Sequence, residues 1–383
     1  MAIYVDVSSA VHAKAGLGRY ARSLTGALRP LLGEDLRLFQ NSLGRLGPLA
    51  GWDHYPTAGV RLGYKPWRMA VWMAQLLRRP MDSLLPEGTL FHATEHLLPY
   101  LRDIPTVLTV HDLIYERLPE FHKFFNYRYL HAAMPLYCRR ATAIIAISEA
   151  TRADLQELYG IDPARVTVIP EAAARHFVPQ PPERVAAVRA RYGLPPRYLL
   201  SVGTIEPRKN LGRLVEATGQ LISQGLIDGV VLVGSLGWLY EGFLRELEQS
   251  PLRERVLFPG FVADEDLPAV YAGAEITVQP SLYEGFGLPV LEAMATGSPV
   301  CASRAASLPE VGGDAARYFD PRNVEEMTVV LAEILRDQGQ REAMRELGLQ
   351  RARLFSWQRA AEETLALYRR VLGESGQVDV SGL

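Results

Sequence analysis

Short runs of β-branched and aliphatic residues recur along the chain, each closed by a polar or glycine-bearing turn. Between them lie segments whose apolar residues fall three to four apart. Alternation between these two periods predicts parallel sheets wrapped by helices. In the first half, strands are expected at Ile3–Val7, Thr89–His92, Thr106–His111, Ala143–Ile147 and Val166–Ile169, with helices over Gly18–Leu28 and Glu149–Tyr159. Ser148, just before the second of these helices, suits a cap whose hydroxyl accepts from a free helix N–H. A second cycle opens with a strand at Tyr198–Gly203 and a helix from about Asn210, followed by strands at Val230–Gly234, Val256–Phe258, Ile276–Gln279 and Pro299–Ala302. Trp357–Arg370 is a last helical pattern, and 373–383 reads as a frayed tail. The proline-rich stretch 170–196 shows little regularity, so the connection between two Rossmann-like units is placed there or just before it. The expected organisation is therefore 1–172, then 173–355, then a closing segment 356–383.

Composition narrows this picture. At 383 residues the chain exceeds what one ordinary core spans. Apolar residues make up 48% and the net charge is −2, without the basic excess of a nucleic-acid binder. Two cysteines, Cys138 and Cys301, are expected to be buried thiols of a cytoplasmic protein, since a disulfide framework needs more. The opening Met1–Asp6 reads directly as a strand rather than a signal peptide, and no apolar run reaches membrane-spanning length. Residues 62–80 hold Lys65, Trp67, Arg68, Met69, Trp72, Met73, Arg78 and Arg79. An aromatic-basic amphipathic segment of this kind can lie on a membrane surface, but a packing helix with a solvated basic edge is the commoner explanation.

In open parallel sheets the ligand crevice lies beyond the strand C-terminal ends, and four such loops carry candidate chemistry. Lys14–Tyr20 holds Gly16 and Gly18 at a helix start, where backbone can approach phosphate, although Ala21 breaks the Gly-x-Gly-x-x-Gly pattern. Gly203–Asn210 places Arg208 beside Lys209; two adjacent cations repel unless solvated or shared by an anion, and a diphosphate fits both. His111 emerges at a strand end and could hydrogen-bond a hydroxyl. Phe261, after Gly260, could stack on a base or pack in a core. A fifth segment, Ser281–Glu292, sets Glu284 in a tight loop and Glu292 in the first turn of a helix, around its mouth, with Gly285, Phe286, Gly287 and Leu288 between them and Pro289 also in the first turn. Glycine backbone and a helix dipole there suit a ligand that is anionic at one point and rich in hydroxyls elsewhere.

Two patterns are weighed and set aside. His92-Ala-Thr-Glu95-His96 matches a zinc-protease motif that needs a helix, but it straddles a strand end and a loop. Asp264-Glu265-Asp266 matches a magnesium-binding Asp-x-Asp, yet acids at a helix start are explained by the dipole.

Taken together, Gly16–Tyr20, Ser201–Asn210, the Glu284-x7-Glu292 spacing, Ser307–Val311 through Asp320-Pro321 and the final Phe355-Ser356-Trp357 resemble the retaining glycosyltransferases of family 4 over almost the whole chain. Gly203–Asn210 followed by Gly237-Trp238-Leu239 resembles the mannosyltransferase branch of bacterial surface-polysaccharide synthesis, which uses GDP-mannose. The resemblance implies the α/β GT-B architecture: two Rossmann-like domains facing across a deep cleft, with an acceptor-side N-terminal domain, a nucleotide-sugar-binding C-terminal domain, and a last helix crossing back to the first.

It further implies hexose transfer, mannose from GDP-mannose or alternatively a sugar from a UDP-hexose, to a glycan or lipid-linked acceptor, with no metal and no cofactor. Arg208 and Lys209 would bind the diphosphate, Glu284 the sugar hydroxyls and Glu292 the ribose. Gly16 and Gly18 would approach the phosphates, with His111 near the transferred sugar and Gly203, Phe261 and Gly285–Leu288 lining the donor site. Apart from the resemblance, the aromatic-basic segment 62–80 is where peripheral contact at the inner face of the membrane would run. Two positions depart from the family pattern: Ala15 replaces a glycine, and Glu171-Ala172 stands where a Leu-Gly-type hinge is common. A nicotinamide-dependent oxidoreductase fits less well, because the glycine fingerprint is incomplete and no acid is placed for that cofactor's ribose. A non-catalytic sugar-nucleotide-binding module would not need the full set of Arg208, Lys209, Glu284 and Glu292.

Overall fold

The computed structural model describes residues 1–12, 15–43, 51–52 and 54–373. Lys14 and the expected tail from 374 onward lie outside the described residues. The chain divides into two compact units, the first comprising Met1–Leu113, Phe125–Glu171 and Trp357–Leu383, the second Ile114–Phe124 and Ala172–Ser356.

In the first unit seven strands form one sheet: β1 (Ile3–Asp6), β2 (Leu36–Asn41), β3 (Thr57–Val60), β4 (Leu90–Ala93), β5 (Thr106–Val110), β6 (Ala143–Ala146) and β7 (Val166–Val168). Their order is β3-β2-β1-β4-β5-β6-β7, and every pairing is parallel. Parallel strands buried on both faces should be apolar throughout, and β1, β4, β5 and β6 are buried at every position. The helix Trp357–Val371 belongs to this unit and packs on the helix Ala15–Leu32, with Trp357 edge-on to Tyr20 at 5.7 Å. Tyr368 of that helix reaches His92 Nδ1 at 2.5 Å, so the returning helix is tied to the sheet by a buried polar contact.

The second unit holds β8 (Tyr198–Val202), β9 (Gly229–Val233), β10 (Val256–Leu257), β11 (Ile276–Gln279), β12 (Val300–Ser303) and β13 (Ala316–Phe319), in the order β10-β9-β8-β11-β12-β13, again all parallel. Leu199, Val230, Ile276 and Phe319 from the sheet and Leu214, Met327 and Leu331 from helices form its core. The segment Ile114–Phe124 groups with this unit, which a single boundary at 172 does not anticipate. Trp238 holds it there: its indole N–H donates to the Phe121 carbonyl at 2.6 Å, and its ring lies 5.7 Å from that of His122.

Several expectations are corrected. β2, β3 and β13 are strands that the sequence pattern does not anticipate; β3 and β13 lie at sheet edges and are only partly buried, so their apolar signal is diluted. The proline-rich stretch is not structureless: Pro182–Tyr192 is a helix, with Pro181 as its cap and Pro182 in its first turn, where a missing N–H is harmless. The first long helix starts at Ala15 rather than Gly18. Ser148 does cap Glu149–Tyr159, accepting from Thr151 N at 3.0 Å.

Candidate active site

Strand order reverses beside β8 in the second unit, between β9 and β11, and such a switch point opens a crevice at the strand C-termini. The loops that leave β8 and β11 on either side of it carry Arg208 with Lys209, and Glu284. Glu284 Oε1 receives Lys209 Nζ at 2.5 Å, Ser281 Oγ at 2.7 Å and Gln279 Nε2 at 2.7 Å. Its Oε2 receives Arg208 NH1 at 2.8 Å, while Arg208 Nε meets Glu206 Oε1 at 2.5 Å. The two neighbouring cations therefore share the Glu284 carboxylate, with Glu206 as a second partner for Arg208, and are not left to repel. Gly203 makes this possible. Its φ of +146° favours glycine, and a Cβ there would stand 3.2 Å from Lys209 Cε and Nζ, in the path the lysine takes to Glu284.

Burial alone would raise the Glu284 carboxyl, but Arg208 and Lys209 hold it well below the usual carboxylate range. Burial pulls the Lys209 ammonium down from its ordinary value, with Glu284 opposing. Asn210, in the left-handed region at φ 58°, anchors the loop by donating to the carbonyls of Pro280 at 3.0 Å and Pro321 at 2.7 Å. Ser307 donates to the carbonyls of Glu284 at 2.9 Å and Phe286 at 2.7 Å, fixing the Gly285–Gly287 turn. Glu206, Gln279, Ser281 and Ser307 were missed in the sequence. All four lie in segments that the sequence singles out as strand or loop, but nothing in the spacing says that Glu206 meets Arg208 or that Gln279, Ser281 and Ser307 hold Glu284 and its turn.

The helix Leu288–Ala295 begins where expected, with Gly287 as its cap at φ +110°. Glu292 is its fifth residue, so it lies in the second turn and not the first. There it is 2% exposed and accepts the Tyr271 hydroxyl at 2.8 Å. Tyr271→Phe is expected to destabilise the protein by about 1.5–3 kcal/mol, the range for a hydrogen bond to a charged group; a denaturant midpoint equal to wild type would contradict this. Phe286 turns inward against Phe355, 6.0 Å away, leaving only its backbone for a ligand. Phe261 is the reverse case: at 89% exposure it belongs to no core.

In the first unit, Gly16 and Gly18 occupy the first turn of the helix Ala15–Leu32. Gly16 is exposed, whereas a Cβ on Gly18 would lie 2.8 Å from the Ser9 carbonyl, so Gly18 serves close packing against the preceding turn. His111 follows β5 and is buried; its Nε2 lies 2.9 Å from the Thr94 carbonyl and its Nδ1 3.2 Å from Glu171 Oε1. Both ring nitrogens are engaged, so the ring does not offer one to a hydroxyl as expected.

The patterns set aside prove structural. His92 lies in β4 with Nε2 at 2.8 Å from Thr109 Oγ1 and Nδ1 on Tyr368, and burial pushes its ring down to about 3, hence neutral. Asp266 is fully buried among Arg184, Arg191 and the Tyr192 hydroxyl. No cluster of potential metal ligands occurs among the described residues. Both cysteines are free and buried. No helix among the described residues is long and apolar enough to cross a membrane. In Tyr64–Leu77, Trp67 faces the core and Arg68 lies over the Tyr129 ring at 3.8 Å, so the outer face is Lys65, Met69, Met73, Leu76 and Leu77.

The family model for Glycosyltransferase Family 4 matches residues 15–173, and that for Glycosyl transferases group 1 matches 188–351. The chain is 33% identical to the O-antigen chain mannosyltransferase B of Escherichia coli over 73% of its own length and 74% of that protein's. The chain belongs to glycosyltransferase family 4. This glycosyltransferase is also 32% identical, over 72% of its length, to the serotype-specific mannosyltransferase WbdA of Escherichia coli, of which it spans about a third (34%). Among solved structures, the sucrose-phosphate synthase of Thermosynechococcus elongatus superposes with a TM-score of 0.78 at 22% identity, covering 98% of this chain and 100% of that one. That likeness shows the shared two-Rossmann-unit fold of the glycosyltransferase.

Proposed function

We propose that this glycosyltransferase is a retaining, metal-independent mannosyltransferase of polysaccharide biosynthesis, moving mannose from GDP-mannose to a glycan or lipid-linked acceptor. The observation that carries the transfer chemistry is the Arg208–Lys209–Glu284 cluster at the switch point of the second sheet. The mannosyl assignment rests on the relatives named above, whose printed activity is mannosyl transfer.

Breaking a sugar–phosphate bond builds negative charge on the departing diphosphate. Arg208, Lys209 and the dipole of the helix Leu288–Ala295 at its start supply fixed positive charge for it without reorganisation. Glu284 orients both cations and is assigned to the sugar hydroxyls, Glu292 to the ribose and Phe261 to the base. Gly16, Gly18 and His111 keep their assignments to the phosphates and the sugar on the family resemblance alone. A carboxylate held by Lys209, Arg208, Ser281 and Gln279 is weakly basic and poorly suited to attack carbon. This favours front-face attack by the acceptor hydroxyl, with the leaving phosphate taking its proton. The outward Met69, Met73, Leu76 and Leu77, with Arg78 and Arg79 beyond, are assigned to a membrane surface carrying the acceptor.

Thermal unfolding is measured against GDP, UDP and ADP, each with and without magnesium. GDP at 100 times its dissociation constant is expected to add about 2.7 kcal/mol of stability, with or without the metal. A shift with UDP alone would replace GDP-mannose by a UDP-hexose, and a shift only with magnesium would overturn metal independence.

A further inference from the structure

His111 and Glu171 stand at the two places where the chain leaves the first unit. His111 lies just before Ile114, where the chain passes into the second unit, and Glu171 is the last residue before it does so again at Ala172. The two side chains are buried against each other, with Nδ1 and Oε1 3.2 Å apart. The hydrogen-bond chemistry constrains the ring. The Thr94 carbonyl can only accept, so Nε2 must carry a proton. If Glu171 is ionised it too can only accept, and Nδ1 then carries one as well.

We propose that Glu171 is a positioning residue that holds His111 as a doubly protonated, fixed cation, and so removes it from the candidates for general base. The groups around the ring are consistent with this. Tyr20 meets it edge-on at 4.6 Å from the helix Ala15–Leu32, and His96 stands 6.1 Å away from the loop after β4. Asp112, the next residue, favours the charged ring. His92 in β4 is neutral and adds no competing charge. Thr151, from the helix Glu149–Tyr159, donates to the His111 carbonyl at 3.2 Å and fixes the backbone rather than the ring. Burial works against the charged imidazole, but the Glu171 hydrogen bond and charge outweigh it and the net displacement is upward. The carboxylate occupies the position where the family pattern carries a hinge glycine's neighbour, which ties this charge to one chain crossing. A consequence for catalysis rests on the proposed assignment of His111 to the transferred sugar: with both N–H groups committed to Thr94 and Glu171, the ring acts there as a fixed cation, and the acceptor proton leaves by another route.

The test is imidazole nitrogen NMR on the full chain, with the His111 signals identified by their loss in His111→Asn. Wild type is expected to show both His111 nitrogens protonated at pH 7. In Glu171→Gln the titration midpoint should fall by about 1–3 units, the range for losing an adjacent opposite charge, and Glu171→Asp should restore it. A single neutral tautomer at pH 7 in wild type overturns the proposal whether or not a Glu171 variant folds. So does an unchanged midpoint in a folded Glu171→Gln. The alkaline limb of kcat/KM for sugar transfer should move to lower pH in Glu171→Gln. If the NMR midpoint moves while that limb stays, the assignment of His111 to the sugar fails and the role of Glu171 stands.

Discussion

Glu284→Ala is expected to lose about 3–5 kcal/mol of stability together with most transfer activity. Removing one member of a buried ion pair leaves its partner's charge uncompensated, and that is the range for such a loss. Here two partners are stranded, since Lys209 Nζ at 2.5 Å and Arg208 NH1 at 2.8 Å both depend on this carboxylate. From the sequence alone the same substitution is expected to leave the fold unharmed, because an acid in a glycine-rich loop gives no sign of being buried. The check is the urea midpoint of the variant beside its rate of sugar transfer. A wild-type midpoint would show that the cations relax into water and that the cluster is not a structural unit. The pH dependence follows from the depressed carboxyl. Its stabilisation is full above the ordinary value of 4.5 and is lost as pH falls from there through the much lower folded value. Wild type should therefore lose stability relative to Glu284→Gln on acidification below about pH 4.5.

Arg208→Ala combined with Lys209→Ala is expected to lower kcat for transfer by about 10²–10³-fold for each donor removed, as for other preorganised groups aimed at developing charge. Nucleotide affinity should weaken in parallel, because both cations are assigned to the diphosphate. Single substitutions separate the two contributions, and Lys209→Met keeps the alkyl packing beside Gly203 while deleting the charge. Initial rates with a sugar nucleotide and calorimetry with GDP read the two effects. Transfer by the double variant within a few-fold of wild type would sink the assignment of the leaving-group site.

The strands that carry the site are readable because each is a short, largely buried and mostly apolar run bounded by glycine or a polar turn. Ile276–Gln279 coincides with its expected limits, and Tyr198–Val202 differs at one end by a single residue. The edge strands Thr57–Val60 and Ala316–Phe319 were not readable, since a half-exposed strand of four residues has too little apolar periodicity to register. Arg208, Lys209 and Glu284 could each be singled out as residues whose chemistry needs a partner. That they are one another's partners is a fact of the tertiary structure, set by adjacent strands more than seventy residues apart in the chain. Glu171 shows the same limit more sharply. As a letter it is only a departure from a hinge pattern, and its meaning comes from β5 and β7 delivering it to the side of His111.

The sequence by itself determined the class of fold, the two cycles of strand and helix, and the loops at which charge and glycine collect. Those properties are local: side-chain periodicity, capping and backbone freedom act within a few residues. What only the tertiary structure decided was which polar groups are buried together, which aromatic rings face solvent, and which unit Ile114–Phe124 joins. Charge pairing and desolvation act through space over a few ångströms, and the order of strands in a sheet, not the order of residues in the chain, sets those distances.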